Sequence, residues 1–245
     1  MVGLARGGVV VAAEVARVLG AALDVVAVRK VGHPFEPEYA LGAVAPGIEP
    51  YIRSPDGIGD ARLEWALSEA QVRAAQLDSV LHGGRPPLFL AGRAVVLVDD
   101  GLATGATMIA AARWARSRGA ARVVCATPVA AADSLAAIAG EADEIVCLHE
   151  RDDFGAVGFW YRDFPEVSDE TVCRLLSAGR ETYRGPLACS QCGRSVPTDP
   201  DELAGWAGAA LVTSGELDEV CAPILLCPEC MKELVSDAID EGTGD

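Results

Sequence analysis

The hydrophobic residues of the chain follow two repeating patterns. Short apolar runs such as residues 95–98, which read Val-Val-Leu-Val, have the length and composition of strands buried on both faces. Residues 61–81 place leucine or alanine at every third or fourth position, which predicts an amphipathic helix. The alternation of the two patterns predicts an α/β fold in which a parallel sheet is flanked by helices. Further strands are expected at 1–5, 23–28, 122–127 and 144–148, and further helices after residue 8, from 108, from Pro128 to 139, and from Ser168.

Polar side chains come directly after the apolar run at 95–98. Asp99 and Asp100 stand where that strand should end, and a loop of small and hydroxyl-bearing residues leads from them into a helix. Ligands of open α/β sheets bind outside the carboxyl ends of the strands, so this loop is the expected place for a site. The small and hydroxyl-bearing residues are Gly101, Ala103, Thr104, Gly105, Ala106 and Thr107.

The composition of this loop suits a phosphate. Residues with little or no side chain let backbone N–H groups approach an anion, and the start of the following helix adds unpaired donors. The Walker pattern for ATP is absent, because neither Lys-Ser nor Lys-Thr follows Gly105. Two carboxylates would repel a polyphosphate but suit hydroxyl groups or Mg²⁺, so the pattern predicts a sugar phosphate. The alternative is a plain strand–turn–helix in which Asp100 is an ordinary helix cap.

Two other segments carry residues suited to binding an anion. Arg6, Gly7 and Gly8 form a turn between a short strand and a helix, which predicts either a second anion loop or an ordinary tight turn. Arg29 and Lys30 follow the strand at 23–28, where two cations suit a pyrophosphate or form a solvated strand end.

The stretch 95–107 resembles the signature of the type I phosphoribosyltransferases: an apolar strand, two acidic residues, two small residues and Thr-Gly-x-Thr. The resemblance implies that Asp99 and Asp100 contact the ribose of phosphoribosyl pyrophosphate, while residues 103–107 hold its 5′-phosphate. It also implies that Arg6, Gly7 and Gly8 form the pyrophosphate loop, with a cis peptide bond between Ala5 and Arg6. Arg29, Lys30 and Mg²⁺ would then stabilise the departing pyrophosphate.

The implied reaction transfers a 5-phosphoribosyl group to an acceptor that the sequence does not identify. A regulatory protein that senses phosphoribosyl pyrophosphate without consuming it is the alternative. Residues 31–59, rich in proline and glycine, would include a loop that closes over the substrate. The aromatic stretch 154–164 would stack on a planar acceptor or, as we favour, pack a helix against the sheet. Relatives usually carry a helical segment before the first strand, so this chain is expected to start inside the domain.

Charge and composition limit the partners and suggest a domain boundary. The net charge of −16 argues against nucleic-acid binding, and no apolar run is long enough to cross a membrane. The absence of a secretory signal predicts a cytoplasmic protein with reduced cysteines, and a homodimer remains open. From residue 181 onward 13 residues are acidic and 3 are basic. We therefore expect a phosphoribosyltransferase domain at 1–180 and an acidic tail at 181–245.

The tail contains two Cys-x-x-Cys pairs, Cys189 with Cys192 and Cys227 with Cys230. Two such pairs complete a tetrahedral Zn²⁺ site, so the tail is expected to be a small module with structural zinc. The alternative is free or redox-active thiols in a disordered tail. A tail that carries the principal role as a protein-interaction module is a third hypothesis for the whole chain.

Overall fold

The computed structural model describes residues 1–33, 40–53, 59–84, 87–182, 207–209 and 224–226. The chain divides into two compact units, Met1–Tyr183 and Arg184–Asp245. In the second unit, strands Ala207–Ala209 and Ile224–Leu226 pair antiparallel. The four cysteines proposed as zinc ligands, Cys189, Cys192, Cys227 and Cys230, lie outside the described residues.

The first unit has the α/β architecture that the hydrophobic pattern predicts. Five parallel strands form the main sheet in the order β2-β1-β6-β7-β8. Three further strands form a separate antiparallel sheet in the order β3-β4-β5. The elements in chain order are β1 (Val2–Leu4), α1 (Gly7–Leu19), β2 (Asp24–Val26), β3 (Arg29–Gly32), β4 (Ala40–Val44), β5 (Tyr51–Ile52), α2 (Asp60–His82), β6 (Ala94–Val98), α3 (Ala106–Ser117), β7 (Arg122–Ala131), α4 (Ala132–Ile138), β8 (Glu144–Arg151) and α5 (Asp169–Thr182).

Two sequence predictions need correction. The strand expected at 23–28 ends at Val26, and Arg29 begins a strand of the second sheet instead of ending one in the main sheet. The sequence predicts a loop at 31–59, yet the described residues of this segment include β4 and β5. These strands are short, and at Gly42 a side chain would overlap the backbone of Tyr51. Their pattern therefore shows little of the alternation that marks longer strands.

The helix expected from Pro128 begins later than predicted. β7 continues through Pro128 to Ala131 because β8 pairs with it as far as Arg151. Only then does α4 begin, at Ala132. Both strands consequently extend past the end of β6 at the carboxyl edge of the sheet.

Two core layers lie on the two faces of the main sheet, and a third cluster packs the antiparallel sheet against α2. α3 lies deepest, with Trp114 2% exposed and its alanines buried against β6 and β7. On the other face, α1 packs with the end of α2 and with α5, whose Val172 and Leu176 are buried. Among the described residues, no helix combines the length and apolar character that crossing a bilayer requires.

A buried ion pair joins the start of β2 to the end of α2. Asp24 and His82 are 1% and 6% exposed, and His82 Nε2 lies 3.3 Å from Asp24 Oδ1. The other carboxylate oxygen accepts a 2.6 Å hydrogen bond from the N–H of Leu88. Hydrogen bonding to Asp24 and then to Asp78 raises the pKa of His82 to about 10. The pair therefore anchors α2 at the amino-terminal edge of the sheet.

Candidate active site

Two loops predicted from separate parts of the sequence touch at the carboxyl ends of β1 and β6. A Cβ placed on Gly7 would overlap the carboxylate of Asp100. A Cβ on Gly8 would lie 2.5 Å from the carbonyl oxygen of Val98 and 2.9 Å from Cα of Asp99. Glycine is therefore required in this turn because the turn packs directly against the acidic pair. The peptide bond between Ala5 and Arg6 is cis, as the family resemblance implies.

The acidic pair is held in an environment that disfavours its charge. Asp99 accepts hydrogen bonds from the N–H of Asp100 at 3.0 Å and from Thr107 Oγ1 at 3.3 Å. Burial and, after it, the neighbouring charge of Asp100 raise the pKa of Asp99 well above its ordinary value. Burial also raises the pKa of Asp100. The charge of Lys30 opposes both shifts, which indicates that this cation acts on the pair.

The loop from Gly101 to Gly105 presents the start of α3 toward the same edge. Leu102 anchors it: its N–H donates to the carbonyl of Val129 at 3.0 Å, and its carbonyl accepts from Ala131 at 2.9 Å. Gly105 has a φ of 73°, which L-residues with side chains rarely adopt, and it is the residue before α3. In the described part of the molecule no side chain caps this helix start, so its first amides can bind an anion.

Two arginines lie at the other side of the glycine turn. Arg6 forms a two-point ion pair with Asp169, with Nε 2.5 Å from Oδ1 and Nη2 3.3 Å from Oδ2. Burial lowers the pKa of Arg29, and the charge of Arg6 lowers it further. The site thus combines cationic side chains near the glycine turn, free main-chain amides at the start of α3 among the described residues, and two carboxylates.

A segment after β8 covers the acidic pair. It includes a 3₁₀ turn at Val157–Trp160, and a Cβ on Gly101 would lie 2.6 Å from Val157 Cγ1. Tyr161 follows, and its hydroxyl donates a 2.6 Å hydrogen bond to the main-chain carbonyl of Asp100. Burial and the charges of the two aspartates raise the pKa of Tyr161 to about 12.

A cavity of about 250 Å³ adjoins this segment. It combines an apolar wall with imidazole, guanidinium and phenol groups, and Tyr161 is common to the cavity and to the hydrogen bond with Asp100. The guanidinium of Arg151 lies 4.8 Å from the centre of the Trp160 ring. The lining residues are Pro128, Val129, His149, Arg151, Trp160 and Tyr161.

Comparison with known proteins identifies the family. The model of the phosphoribosyl transferase domain matches residues 1–162, about two thirds of the chain. The chain belongs to this family. Its phosphoribosyl transferase domain contains every site residue predicted from the sequence other than the tail cysteines.

Relatives and a solved structure agree with that assignment. Two Mycobacterium tuberculosis proteins, from strains CDC 1551 / Oshkosh and ATCC 25618 / H37Rv, are both provisionally named phosphoribosyl transferase. Each is 42% identical to this chain over 189 residues, which is 75% of this chain and 42% of the relative. The chain therefore spans less than half the length of these relatives. The crystal structure of TT1426 from Thermus thermophilus is 46% identical, with a TM-score of 0.60, covering 71% of this chain and 85% of that one.

The phosphoribosyl transferase domain brings the predicted acidic pair, the glycine turn and the phosphate loop together. Arg29 and Lys30 lie at the start of β3 rather than at the end of a strand in the main sheet. Within the described part of the chain, three or more His, Cys, Asp or Glu side chains nowhere gather into a group that could hold a metal ion.

Sequence reasoning misses two residues of the site. It assigns Tyr161 only to an aromatic stretch and Asp169 only to the start of the last helix. Both contact site residues more than 60 positions away, so no local spacing indicates them. The Ser-Asp-Glu signal of a helix start, at Ser168, is the available clue to the position of Asp169.

Proposed function

We propose that this phosphoribosyl transferase domain transfers a 5-phosphoribosyl group from phosphoribosyl pyrophosphate to a small acceptor and releases pyrophosphate. The observation that carries this proposal is the contact between the Gly7–Gly8 turn and the Asp99–Asp100 pair. The contact puts the glycine turn, which we propose binds an anion, directly beside two hydrogen-bond acceptors. A ligand that fits both has a pyrophosphate attached next to a diol.

Each part of the substrate has a complementary surface in this proposal. The 5′-phosphate lies at the start of α3, where it receives amide hydrogen bonds from residues 103–107 and the hydroxyl of Thr104. The ribose hydroxyls donate to Asp99 and Asp100. The pyrophosphate lies at the glycine turn near Arg6, Arg29 and Lys30.

The acidic pair also suits a Mg²⁺ ion bound with the substrate. Two partly buried carboxylates with raised pKa values gain from any cation or hydroxyl donor that enters, and oxygen atoms are the ligands Mg²⁺ prefers. When bound, the ion neutralises charge on the pyrophosphate. Oxygen atoms of the substrate would supply further ligands.

The chain's own contribution to the reaction is positioning and electrostatic stabilisation. Loss of pyrophosphate leaves positive charge on the ribose, and the negative field of Asp99 and Asp100 stabilises that charge. Arg6, Arg29 and Lys30 stabilise the negative charge that develops on the leaving group. Fixing the ribose between these groups lowers the barrier without a protein nucleophile.

The cavity beside Tyr161 is the proposed acceptor subsite. It adjoins the acidic pair through the hydrogen bond of Tyr161, and its mixture of aromatic, apolar and cationic groups suits a small planar molecule. The sequence alone favours packing for this aromatic stretch. Phe154 is buried, whereas Phe159 and Trp160 retain exposed surface. In this proposal one part of the stretch packs against the core and another part is open to an acceptor.

We further propose structural Zn²⁺ at Cys189, Cys192, Cys227 and Cys230, on the spacing of the two pairs alone. Metal analysis of the purified chain checks this. One equivalent of zinc that is lost in a variant with Cys189 and Cys227 both changed to serine would support the site.

The function is tested by measuring pyrophosphate release from phosphoribosyl pyrophosphate and Mg²⁺ across a panel of purines, pyrimidines and other planar acceptors. Acceptor-dependent release supports the transferase. Binding of phosphoribosyl pyrophosphate without turnover for any acceptor would favour the sensing alternative. Absence of binding would overturn the assignment of the site.

Asp100→Asn is the matched variant for this assay. It keeps the side-chain shape but removes the charge and one strong acceptor, so turnover should fall at least about tenfold. Asp152→Asn, an exposed carboxylate outside the site, serves as the control. Equal rates in Asp100→Asn and the wild type would contradict the assigned role.

A further inference from the structure

The first residue of α5 touches the glycine turn at the opposite end of the domain's sequence. Asp169 and Arg6 are 163 positions apart, yet their side chains meet in a two-point contact. Ser168 precedes the helix, and its Oγ accepts a 3.2 Å hydrogen bond from the N–H of Thr171. Asp169 lies beyond residues 1–162, the segment matched by the family model. The carboxylate partner of Arg6 thus comes from outside the matched segment.

The geometry of the contact leaves part of the guanidinium available. Asp169 uses Nε–H and one hydrogen of Nη2, the side edge of the group. A guanidinium carries five N–H donors, so the two hydrogens of Nη1 and the second hydrogen of Nη2 are not used by this carboxylate. That end edge has the spacing that binds two oxygens of a phosphate.

A second cation, Arg29, lies close enough to this ion pair for the charges of Arg6 and Asp169 to act on it. The Nε atom of Arg29 is buried and has no hydrogen-bond partner among the described residues. The charge of Arg6 lowers the pKa of Arg29, whereas the charge of Asp169 raises it. Asp169 therefore offsets the repulsion between two guanidinium groups on one side of the site.

The position of Asp169 at the start of a packed helix holds its carboxylate in place. It stands in the first turn of α5, where the helix dipole favours a negative charge. Val172 and Leu176 bury the next turns of this helix against the core. The carboxylate is consequently attached to a rigid element rather than to a loop.

We propose that Asp169 is a positioning residue that orients Arg6 so that its end edge binds the pyrophosphate of the substrate beside Arg29. This inference rests on the proposed function, because it assigns the pyrophosphate to the glycine turn. It makes the last helix of the domain a part of the substrate site.

The direction in which Asp169→Asn changes the affinity for pyrophosphate separates a positioning role from a purely electrostatic one. Asp169→Asn removes a negative charge near an anion site, so a purely electrostatic role predicts tighter pyrophosphate binding. A positioning role predicts weaker binding, because Arg6 loses its two-point partner. We expect Asp169→Asn to weaken the binding of pyrophosphate and phosphoribosyl pyrophosphate about tenfold.

The experiment measures the affinity of the full chain for Mg²⁺-pyrophosphate, Mg²⁺-phosphoribosyl pyrophosphate and ribose 5-phosphate by calorimetry. Ribose 5-phosphate lacks the pyrophosphate, so its affinity should be the same in Asp169→Asn and the wild type. Asp169→Glu, which keeps the charge and the two oxygens, should recover part of the lost affinity. Glu141→Gln is the matched control, because Glu141 forms a similar 2.5 Å ion pair with Arg113 away from the site.

Arg6→Lys completes a double-mutant cycle. Lysine has no planar fork, so Asp169→Asn should cause no further loss of pyrophosphate affinity in the Arg6→Lys background. If Asp169→Asn fails to fold, the test uses Asp169→Glu and Arg6→Lys instead. The positioning role then requires that Arg6→Lys weaken the binding of pyrophosphate and leave the binding of ribose 5-phosphate unchanged.

The experiment distinguishes a failure of the positioning role from a failure of the proposed function. Unchanged or tighter pyrophosphate binding by Asp169→Asn, or an equal loss for ribose 5-phosphate, overturns the positioning role while the proposed function stands. A wild-type chain that binds neither phosphoribosyl pyrophosphate nor ribose 5-phosphate overturns the proposed function, and this inference with it.

Discussion

The hydroxyl of Tyr161 donates a 2.6 Å hydrogen bond to the main-chain carbonyl of Asp100, 61 positions earlier in the chain. The bond ties the segment after β8 to the acidic pair at the end of β6. It also places one residue in contact with both the proposed ribose site and the proposed acceptor cavity.

Tyr161→Phe should loosen this connection without emptying the space that the ring fills. Loss of a partly buried hydrogen bond costs about 1 kcal/mol of stability, and the carbonyl of Asp100 loses a partner. We expect turnover to fall roughly threefold to tenfold because the acidic pair is held less firmly. Steady-state kinetics and urea unfolding measure the two effects. Phe89→Leu, which changes an exposed aromatic residue outside this segment, is the control. Equal kinetics in Tyr161→Phe and the wild type would remove Tyr161 from the site.

The two glycines of the first turn should respond differently to alanine. In Gly7→Ala the new Cβ meets the carboxylate of Asp100, which can move, so the domain should fold but bind phosphoribosyl pyrophosphate at least about tenfold more weakly. In Gly8→Ala the Cβ meets backbone atoms of β6, so the cost should fall on stability, about 1–3 kcal/mol. Calorimetric titration and thermal unfolding distinguish these outcomes.

Gly140→Ala provides the reference for that pair, because a Cβ there would meet no described atom within 4 Å and no left-handed φ is involved. It should change neither binding nor Tm. If Gly7→Ala behaved like Gly140→Ala, the turn and the acidic pair would not be in functional contact.

Asp99→Asn should stabilise the domain at neutral pH while impairing its site. Burial and Asp100 raise the pKa of Asp99 in the folded state, so between the ordinary and the raised pKa the folded chain binds more protons than the unfolded chain. Stability therefore falls as pH rises through the interval between the ordinary and the raised pKa. Asparagine removes this dependence. The increase in Tm should be about 2–4 °C for each kcal/mol gained in the free energy of unfolding, and it should vanish at about pH 3.

Thermal unfolding of the two forms from about pH 3 to pH 8 checks this prediction, with binding of phosphoribosyl pyrophosphate measured in parallel. Asn can still accept from the amide of Asp100, and its own amide can donate to Thr107, so the local hydrogen bonds have replacements. A lower Tm for Asp99→Asn at pH 7 would show that the charge is better accommodated than the raised pKa indicates.

The contribution of His82 to the stability of the fold should be lost as pH rises. Its pKa in the folded chain is about 10, above the ordinary value of 6.5, so its contribution is complete below pH 6.5 and is lost as pH rises through about 10. His82→Gln should cost about 3–5 kcal/mol near pH 6, because Asp24 is left buried without its cation. Urea unfolding at pH 6, 8 and 10 should show the difference from wild type shrinking.

Glu14→Gln, which removes one partner of an exposed ion pair with Arg17, should show no such pH dependence. A difference between His82→Gln and wild type that stayed constant from pH 6 to pH 10 would mean that the buried imidazole is neutral in the folded chain.

The parts of the site that depend on local sequence were predictable. The stretch 95–107 has an apolar strand, two acids and a small-residue loop in unbroken order, so its strand–loop–helix geometry follows from neighbouring residues. The turn at Gly7 and Gly8 was predictable for the same reason. The order in which strand and helix patterns alternate also indicated the parallel sheet.

The remaining parts depend on contacts that no short window contains. Pro128 resembles a helix start, but pairing between β7 and β8 extends the strand past it. The small sheet of β3, β4 and β5 carries too few alternating positions to be distinguished from a loop. The contacts that Tyr161 and Asp169 make come from tertiary packing, since each meets a partner far away in the sequence.

The packing of α5 on α1 has a consequence for folding during synthesis and for truncated forms of the protein. During synthesis the part of the α1 surface that packs on α5 stays uncovered until the last helix of the unit leaves the ribosome. A fragment stopping at residue 162 would keep every loop motif of the family yet expose that surface. We expect such a fragment to aggregate or to be held by chaperones, and a soluble minimal unit to extend through residue 182.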